Sequence, residues 1–347
     1  MKIIYYLYEK GKEPSAAWNR VELIIKGCKV NGFEAIVYPI KSPYGINRAL
    51  RPFILLWQVI KLYIDLFLNK DNAIVCYGYN YTWPLFFLPR KAKLIVERNE
   101  YPDHLIRQGS KINYFEESPL KHIDGFITCS KSLKDYYSGF CGSSCSFLIS
   151  PVIVDIDEFH KRTEKTKKIS YCGDWGNHKD GVDILIEAFA LLHKKHPDYR
   201  LELIGGSTPD VEMALKQLSI DLGVESSVDY IGRIPHEDMA SHLLSASVMA
   251  LARPNNKQAQ GGFPSKVAEY LATGRPVVLT CVGDLPIYLT DHVNCFMSAP
   301  DSPDAFAAKL CEAIESPNSN DIAEKGFELA KSFNYDHQSK MIVDFIR

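Results

Sequence analysis

Residues 260–278 read QGGFPSKVAEYLATGRPVV. Two glycines and a proline lead into an amphipathic run that starts near Ser265. Gly274 and Pro276 then end it, just ahead of an apolar pair. A helix closed by glycine and followed at once by a buried strand is the building unit of a parallel sheet. Ser265 is expected to cap the helix, with Lys266 in its first turn and Glu269 one turn on. A cation at that end opposes the helix dipole, which favours anions there. The arrangement makes chemical sense where a diphosphate draws the lysine and the carboxylate takes the paired hydroxyls of a ribose. An exposed salt bridge on an ordinary helix is the alternative.

Outward from this stretch the same logic continues. Arg253 follows the apolar strand expected at 248–251, at the sheet end where open α/β sheets bind ligands. A strand at 169–172 runs into GDWGNHKDG and then into a helix opening at Val182. Gly173, Gly176 and Gly181 permit close approach of backbone to a ligand, and His178 and Lys179 stand just before the helix. The spacing matches neither a Walker A loop nor a GxGxxG fingerprint, so phosphate contact and a plain strand-to-helix turn both stay open.

Strands are expected at 3–7, 34–38, 73–76, 94–97, 125–129 and 147–149, then at 169–172, 200–204, 228–231, 248–251, 277–280 and 294–297. Helical runs separate them. The segment DIDEFHKRTEKTKK, 155–168, has no apolar run and breaks the series in two. The expected organisation is an N-terminal Rossmann-like domain over 1–160, a linker at 161–168 and a second Rossmann-like domain over 169–330. The terminal helix, 331–347, crosses back to the first domain. The fold class is α/β: two facing, doubly wound domains with the site in the cleft between them.

Composition narrows the function. Forty Lys and Arg against forty-two Asp and Glu give a formal charge of -2, which excludes nucleic-acid binding by bulk charge while leaving room for a local phosphate pocket. Nine irregularly spaced cysteines make no disulfide scaffold, and a reducing, cytoplasmic setting fits them. The most apolar stretch, FILLWQVIKLYIDLFL at 53–68, is short for a membrane span and carries Lys61 and Asp65. Two uses remain for it. It either packs on the first sheet or lays one face on a membrane, where Arg48, Arg51, Lys61 and Lys70 would meet anionic headgroups and Trp57 and Tyr63 the interface. TWPLFFLPRKAK, 82–93, repeats the aromatic and basic theme.

Four ordered pieces resemble the retaining nucleotide-sugar glycosyltransferases of glycosyltransferase family 4, which have the GT-B fold. They are YCGDWGNHKDGVDILIEAFA (171–190), LELIGG (201–206), VDYIGRIPHEDMASHL (228–243) and GGFPSKVAEYLATGRPVV (261–278). The resemblance implies that Lys179 contacts a donor diphosphate and that Glu269 binds the ribose. It implies that backbone near Arg233 and Ile234 holds the base, and that Gly262 and Phe263 line the donor sugar. Gly173, Arg253, Ser265 and Lys266 complete the expected donor set. Lys179, Lys266, Asn99 and Glu100 form the expected catalytic set.

Two departures from the family pattern stand out. Gly261 occupies a place where the family often has a glutamate that reads a donor-sugar hydroxyl. Asn99, in LIVERNEYPDHL, takes the place of a histidine common after the fourth strand, with Glu100 beside it and His104 a substitute. Asp155-Ile156-Asp157 looks like a metal signature, but in PVIVDIDEFH it resembles the turn that ends the family's first domain.

The resemblance implies a metal-independent, hexosyltransferase-like enzyme. It would move a sugar from a nucleoside-diphosphate sugar to a glycan or polyprenyl-diphosphate-linked acceptor in surface polysaccharide or glycoconjugate synthesis. No cofactor or metal is expected. The expected place is the cytoplasm, peripheral on the inner face of the membrane. Front-face attack, with the diphosphate leaving, needs no carboxylate nucleophile. A GT-B nucleotide-sugar epimerase and an inactive nucleotide-sugar-binding scaffold are the alternatives.

Overall fold

The computed structural model describes residues 2–9, 16–41, 49–68, 70–78, 89–102, 118–159, 164–176 and 180–347. The chain forms two compact units. The first comprises Met1–Ile153 with Gly261–Phe263 and Asn334–Arg347, the second Val154–Gln260 with Pro264–Phe333.

The first unit carries strands β1 (Lys2–Glu9), β2 (Glu34–Lys41), β3 (Ala73–Tyr77), β4 (Lys93–Glu97), β5 (Gly125–Thr128) and β6 (Ser146–Ile149). They pair in parallel in the order β2-β1-β3-β4-β5-β6. The second carries β7 (Lys168–Asp174), β8 (Arg200–Gly206), β9 (Val228–Gly232), β10 (Val248–Leu251), β11 (Val277–Thr280) and β12 (Phe296–Ser298). Its order is β12-β11-β10-β7-β8-β9, again parallel. Every strand expected from the sequence is present, with ends within three residues. These strands read clearly because both faces of a parallel sheet are covered, so their side chains form continuous apolar runs.

In the first unit, helix Ala16–Val30 packs under the sheet against the closing helix Tyr335–Ile346. Gly27 allows this approach: a Cβ there would run into Ser339 Oγ and the Tyr335 carbonyl. Ser339 Oγ donates to the Ile24 carbonyl at 3.1 Å, and Ile342, Val343 and Ile346 fill the core with Ile3, Tyr5 and Val75.

Helix Arg51–Leu68 does two things at once. Gln58, Leu62, Asp65 and Leu66 are buried, and Asp65 accepts hydrogen bonds from Tyr6 OH at 2.7 Å and Lys61 Nζ at 2.6 Å. The opposite face is apolar and exposed. Phe53 (69%) and Trp57 (62%) stand out of it, followed by Ile60, Ile64 and Leu68. That spacing is one continuous helical stripe. Lys61 pairs with Asp65 one turn along the helix while its side chain stays about a third exposed (35%). Among the described residues, no helix is long and apolar enough to cross a membrane. Most of the aromatic-basic patch at 82–93, and Arg48, lie outside the described residues, as does the Arg51 side chain.

Candidate functional site

In the second unit the strand order reverses between β10 and β7, so the loops after these strands face each other at the carboxyl end of the sheet. Gly181, at the start of helix Val182–His193, has φ +62, and a Cβ on it would strike the Ala252 carbonyl. The two loops therefore touch through a position only glycine fits. Arg253, next in the β10 loop, is buried at 2% exposure.

Helix Lys266–Ala272 lies over the end of β7, where Tyr270 OH accepts from the Cys172 backbone N–H at 2.8 Å. Its first residue reaches the same loops. Lys266 Nζ pairs with the Asp180 carboxylate and lies 3.3 Å from Tyr171 OH, which itself donates to Asp180 at 3.0 Å. Gly173 makes room, since a Cβ there would meet both Lys266 Nζ and Tyr171 OH. Burial alone would raise the Asp180 carboxyl. Lys266, then Arg253, then the hydrogen bonds from Lys266 and Tyr171 outweigh it and hold the group below its usual range. Lys266 and Arg253 thus both act on one buried carboxylate at the end of the sheet.

Glu269 differs. Its carboxylate is half-buried, and no hydrogen bond or ion pair reaches it among the described residues. Burial raises its pKa, with Lys266 and His236 opposing and Glu158 assisting. A desolvated acceptor beside a cationic cluster is a poor structural element and a good partner for ligand hydroxyls.

The structure corrects one expectation here. Ser265 does not cap its helix: it is itself helical (φ -56, ψ -36) and its side chain makes no cap bond. The turn begins one residue earlier, where the Pro264 carbonyl accepts from the Val267 N–H at 3.1 Å. The helix has seven residues, so the charge at this end comes from side chains rather than a long helix dipole.

Arg233 and Ile234 follow β9, with Arg233 exposed and its stem 3.8 Å from where a Gly206 Cβ would stand. Lys179, with His178, and His104 lie outside the described residues. Asp155 and Asp157 form a local turn, in which Asp155 Oδ1 accepts from the Asp157 N–H at 3.2 Å. None of the nine cysteines forms a disulfide.

The remaining expected residues belong to the first unit. Asn99 and Glu100 follow β4, and Glu100 offers its carbonyl to Tyr137 OH at 2.8 Å. Gly262 and Phe263 sit nearby: Cys129 Sγ donates to the Asn99 carbonyl and accepts from the Phe263 N–H, each at 3.5 Å. Ser130 Oγ donates to the Gly261 carbonyl at 2.5 Å. A Cβ on Gly261 would overlap the Tyr101 ring. The absence of a larger residue at 261 therefore has a steric cause.

Solved structures share this architecture along the whole chain. Sucrose-phosphate synthase from Thermosynechococcus elongatus superposes with TM-score 0.73 at 15% identity, covering 99% of this chain and 98% of its own. The Anabaena protein HepE, solved with UDP, gives 0.72 at 16% identity, covering 100% and 99%. The fold is GT-B. A family profile described as glycosyl transferases group 1 matches residues 166–316, which include the cationic cluster and Glu269. A D-inositol 3-phosphate glycosyltransferase from Corynebacterium urealyticum is 22% identical over 289 residues, 76% of this chain and 66% of the relative. A second, from Corynebacterium aurimucosum, is 28% identical over 49% of this chain and 40% of its own length. The chain thus spans two thirds or less of these relatives' lengths.

Asp180 and Tyr171 are the residues that sequence reasoning missed. Asp180 reads as a mere insertion between Lys179 and Gly181. Its signal was a carboxylate directly before the helix in a loop otherwise suited to anions.

Proposed function

We propose that the protein is a retaining, metal-independent glycosyltransferase that binds a nucleoside-diphosphate sugar on its second unit. The observation that carries this is Glu269: a half-buried carboxylate without a partner among the described residues, one turn from the buried Lys266–Asp180 pair, on which Arg253 also acts. The carboxylate suits the two hydroxyls of a ribose. Lys266 and Arg253 suit the diphosphate, whose growing charge they would stabilise as it leaves. Asp180 would hold Lys266 in place. Lys179 joins them on resemblance, and backbone at Arg233 and Ile234 would meet the base. Front-face attack, with the leaving phosphate taking the acceptor's proton, needs no enzymatic nucleophile.

The acceptor falls to the first unit, where Asn99 and Glu100 follow β4, and Gly262 and Phe263 beside them would line the donor sugar. The exposed stripe from Phe53 to Leu68 favours an amphiphilic, lipid-linked acceptor and a helix resting on an anionic membrane surface. Lys70 and Lys91, both exposed, would supply the charge. Surface polysaccharide or glycoconjugate synthesis is the proposed setting.

Calorimetric titration of UDP and GDP tests the donor site. Glu269→Ala should weaken the preferred nucleotide by about 1.5–3 kcal/mol, the scale of hydrogen bonds to a charged group. Unchanged affinity would remove Glu269 from the site.

A further inference from the structure

At the end of β4, Glu97 is fully buried. Its Oε1 accepts from Arg20 Nε at 2.6 Å and from Asn99 Nδ2 at 3.2 Å. Asn99 Nδ2 also donates to Tyr77 OH at 3.1 Å. Arg20 is in turn fixed by Ser150, whose carbonyl and Oγ each lie 3.0 Å from Nη2, and Ser150 Oγ donates to Gln338 Oε1 at 3.0 Å. An oxygen already accepting from a guanidinium has no hydrogen to give, so the Asn99 group facing it must be the NH2. The carboxamide therefore has one allowed orientation. Its oxygen turns away from the network and has no partner among the described residues, although it is buried. Such an acceptor is costly unless something donates to it.

We propose that Glu97 and Tyr77 are positioning residues that lock the Asn99 side chain with its carbonyl oxygen turned away from them. Asn99 thereby presents a hydrogen-bond acceptor to a ligand hydroxyl. An imidazole at this position could switch between donor and acceptor; the locked carboxamide cannot. Asn99 thus selects for a group that donates a hydrogen. The Asn99 backbone carbonyl is tied through Cys129 to the Phe263 N–H, so residue 99 lies beside the segment proposed to line a sugar.

Two measurements test this, and only the second rests on the proposed function. In protein labelled with 15N at asparagine, the Asn99 NH2 should exchange with solvent at least about ten-fold more slowly than a free amide. Tyr77→Phe should reduce the protection. Tyr77 is the better choice because removing Glu97 would strand the Arg20 charge. The second measurement is sugar transfer as a function of pH. Asn99→Leu should lose about ten- to a hundred-fold in kcat/KM at every pH, the loss expected for one good hydrogen bond.

Asn99→Asp should recover at acid pH. There the introduced carboxyl, when protonated, gives its hydrogen to Glu97 and keeps its carbonyl oxygen turned away from Glu97. It faces Glu97 and Tyr77, with Arg20, Tyr5 and Cys129 around them. The Glu97 carboxylate raises its pKa, and activity should fall as it ionises, a titration the wild type lacks. A freely exchanging Asn99 NH2 would overturn the positioning claim. Wild-type turnover in Asn99→Leu, or a wild-type pH profile in Asn99→Asp, would overturn the presentation of the oxygen. A wild type that transfers from no nucleotide sugar would instead sink the proposed function, and amide protection would still decide the positioning claim.

Discussion

Replacing Asp180 with asparagine removes one negative charge from between two cations and changes almost nothing in shape. The carboxylate is 7% exposed and its Lys266 partner 13%, so water can do little to compensate. Deleting one member of a buried pair costs about 3–5 kcal/mol, because the other charge is left uncompensated. Here the Arg253 charge also acts on the carboxylate, which adds to the loss. The asparagine can still accept from Tyr171 OH, which places the expected loss near the lower end, about 3 kcal/mol. For a unit of this size that is roughly a 6–12 °C fall in Tm.

The pH dependence has a definite sign. The folded carboxyl lies below its ordinary value, so its contribution is fully present above the unfolded pKa of about 3.9 and is lost as pH falls through the folded value. The difference between wild type and variant should therefore be constant from pH 6 to 8 and shrink only below about pH 4. UDP or GDP should restore more Tm to Asp180→Asn than to the wild type, because an anion replaces the missing charge. Denaturation monitored with and without nucleotide is the assay. A loss under about 1 kcal/mol at neutral pH would refute the buried-pair reasoning.

Other outcomes follow from single contacts. Gly261→Ala should destabilise the protein by about 1–3 kcal/mol through overlap with the Tyr101 ring, and Tyr101→Ala in the same chain should recover part of the loss, as urea unfolding would show. Trp57→Glu should leave Tm within about 1 °C, since the ring packs on little, while lowering sedimentation with anionic liposomes about ten-fold or more. Equal association of wild type and variant would confine that helix to a structural role.

Much of the fold was legible because parallel strands are apolar on both faces and end in glycine-rich turns. The helix Lys131–Ser138 escaped notice: it is short and polar outside Leu133 and Tyr137, and its clearest mark is Ser130, whose Oγ accepts from the Leu133 N–H. Lys266 and Glu269 were visible as a spacing on one helix. What Lys266 does with its charge was not, because Asp180 is 86 residues away in sequence. The same holds for Arg20 and Glu97, 77 residues apart, whose pairing fixes Asn99. Ser265 misled because a proline turn started the helix before it, a detail set by backbone angles rather than residue type. On the apolar helix, the sequence left packing on the sheet and a face laid on a membrane both open. Only three-dimensional placement separated the face covered by the sheet from the face left open.

The most direct test of the central claim is product analysis. A thermal-shift panel of nucleotide sugars would select the donor, and that donor would be incubated with lipid-linked and soluble glycan acceptors. We expect release of one nucleoside diphosphate per sugar transferred, with the donor's anomeric configuration kept in the product, as read by NMR, and near-complete loss of both in Glu269→Ala. Absence of transfer from every nucleotide sugar that binds, or transfer undiminished in Glu269→Ala, would contradict it.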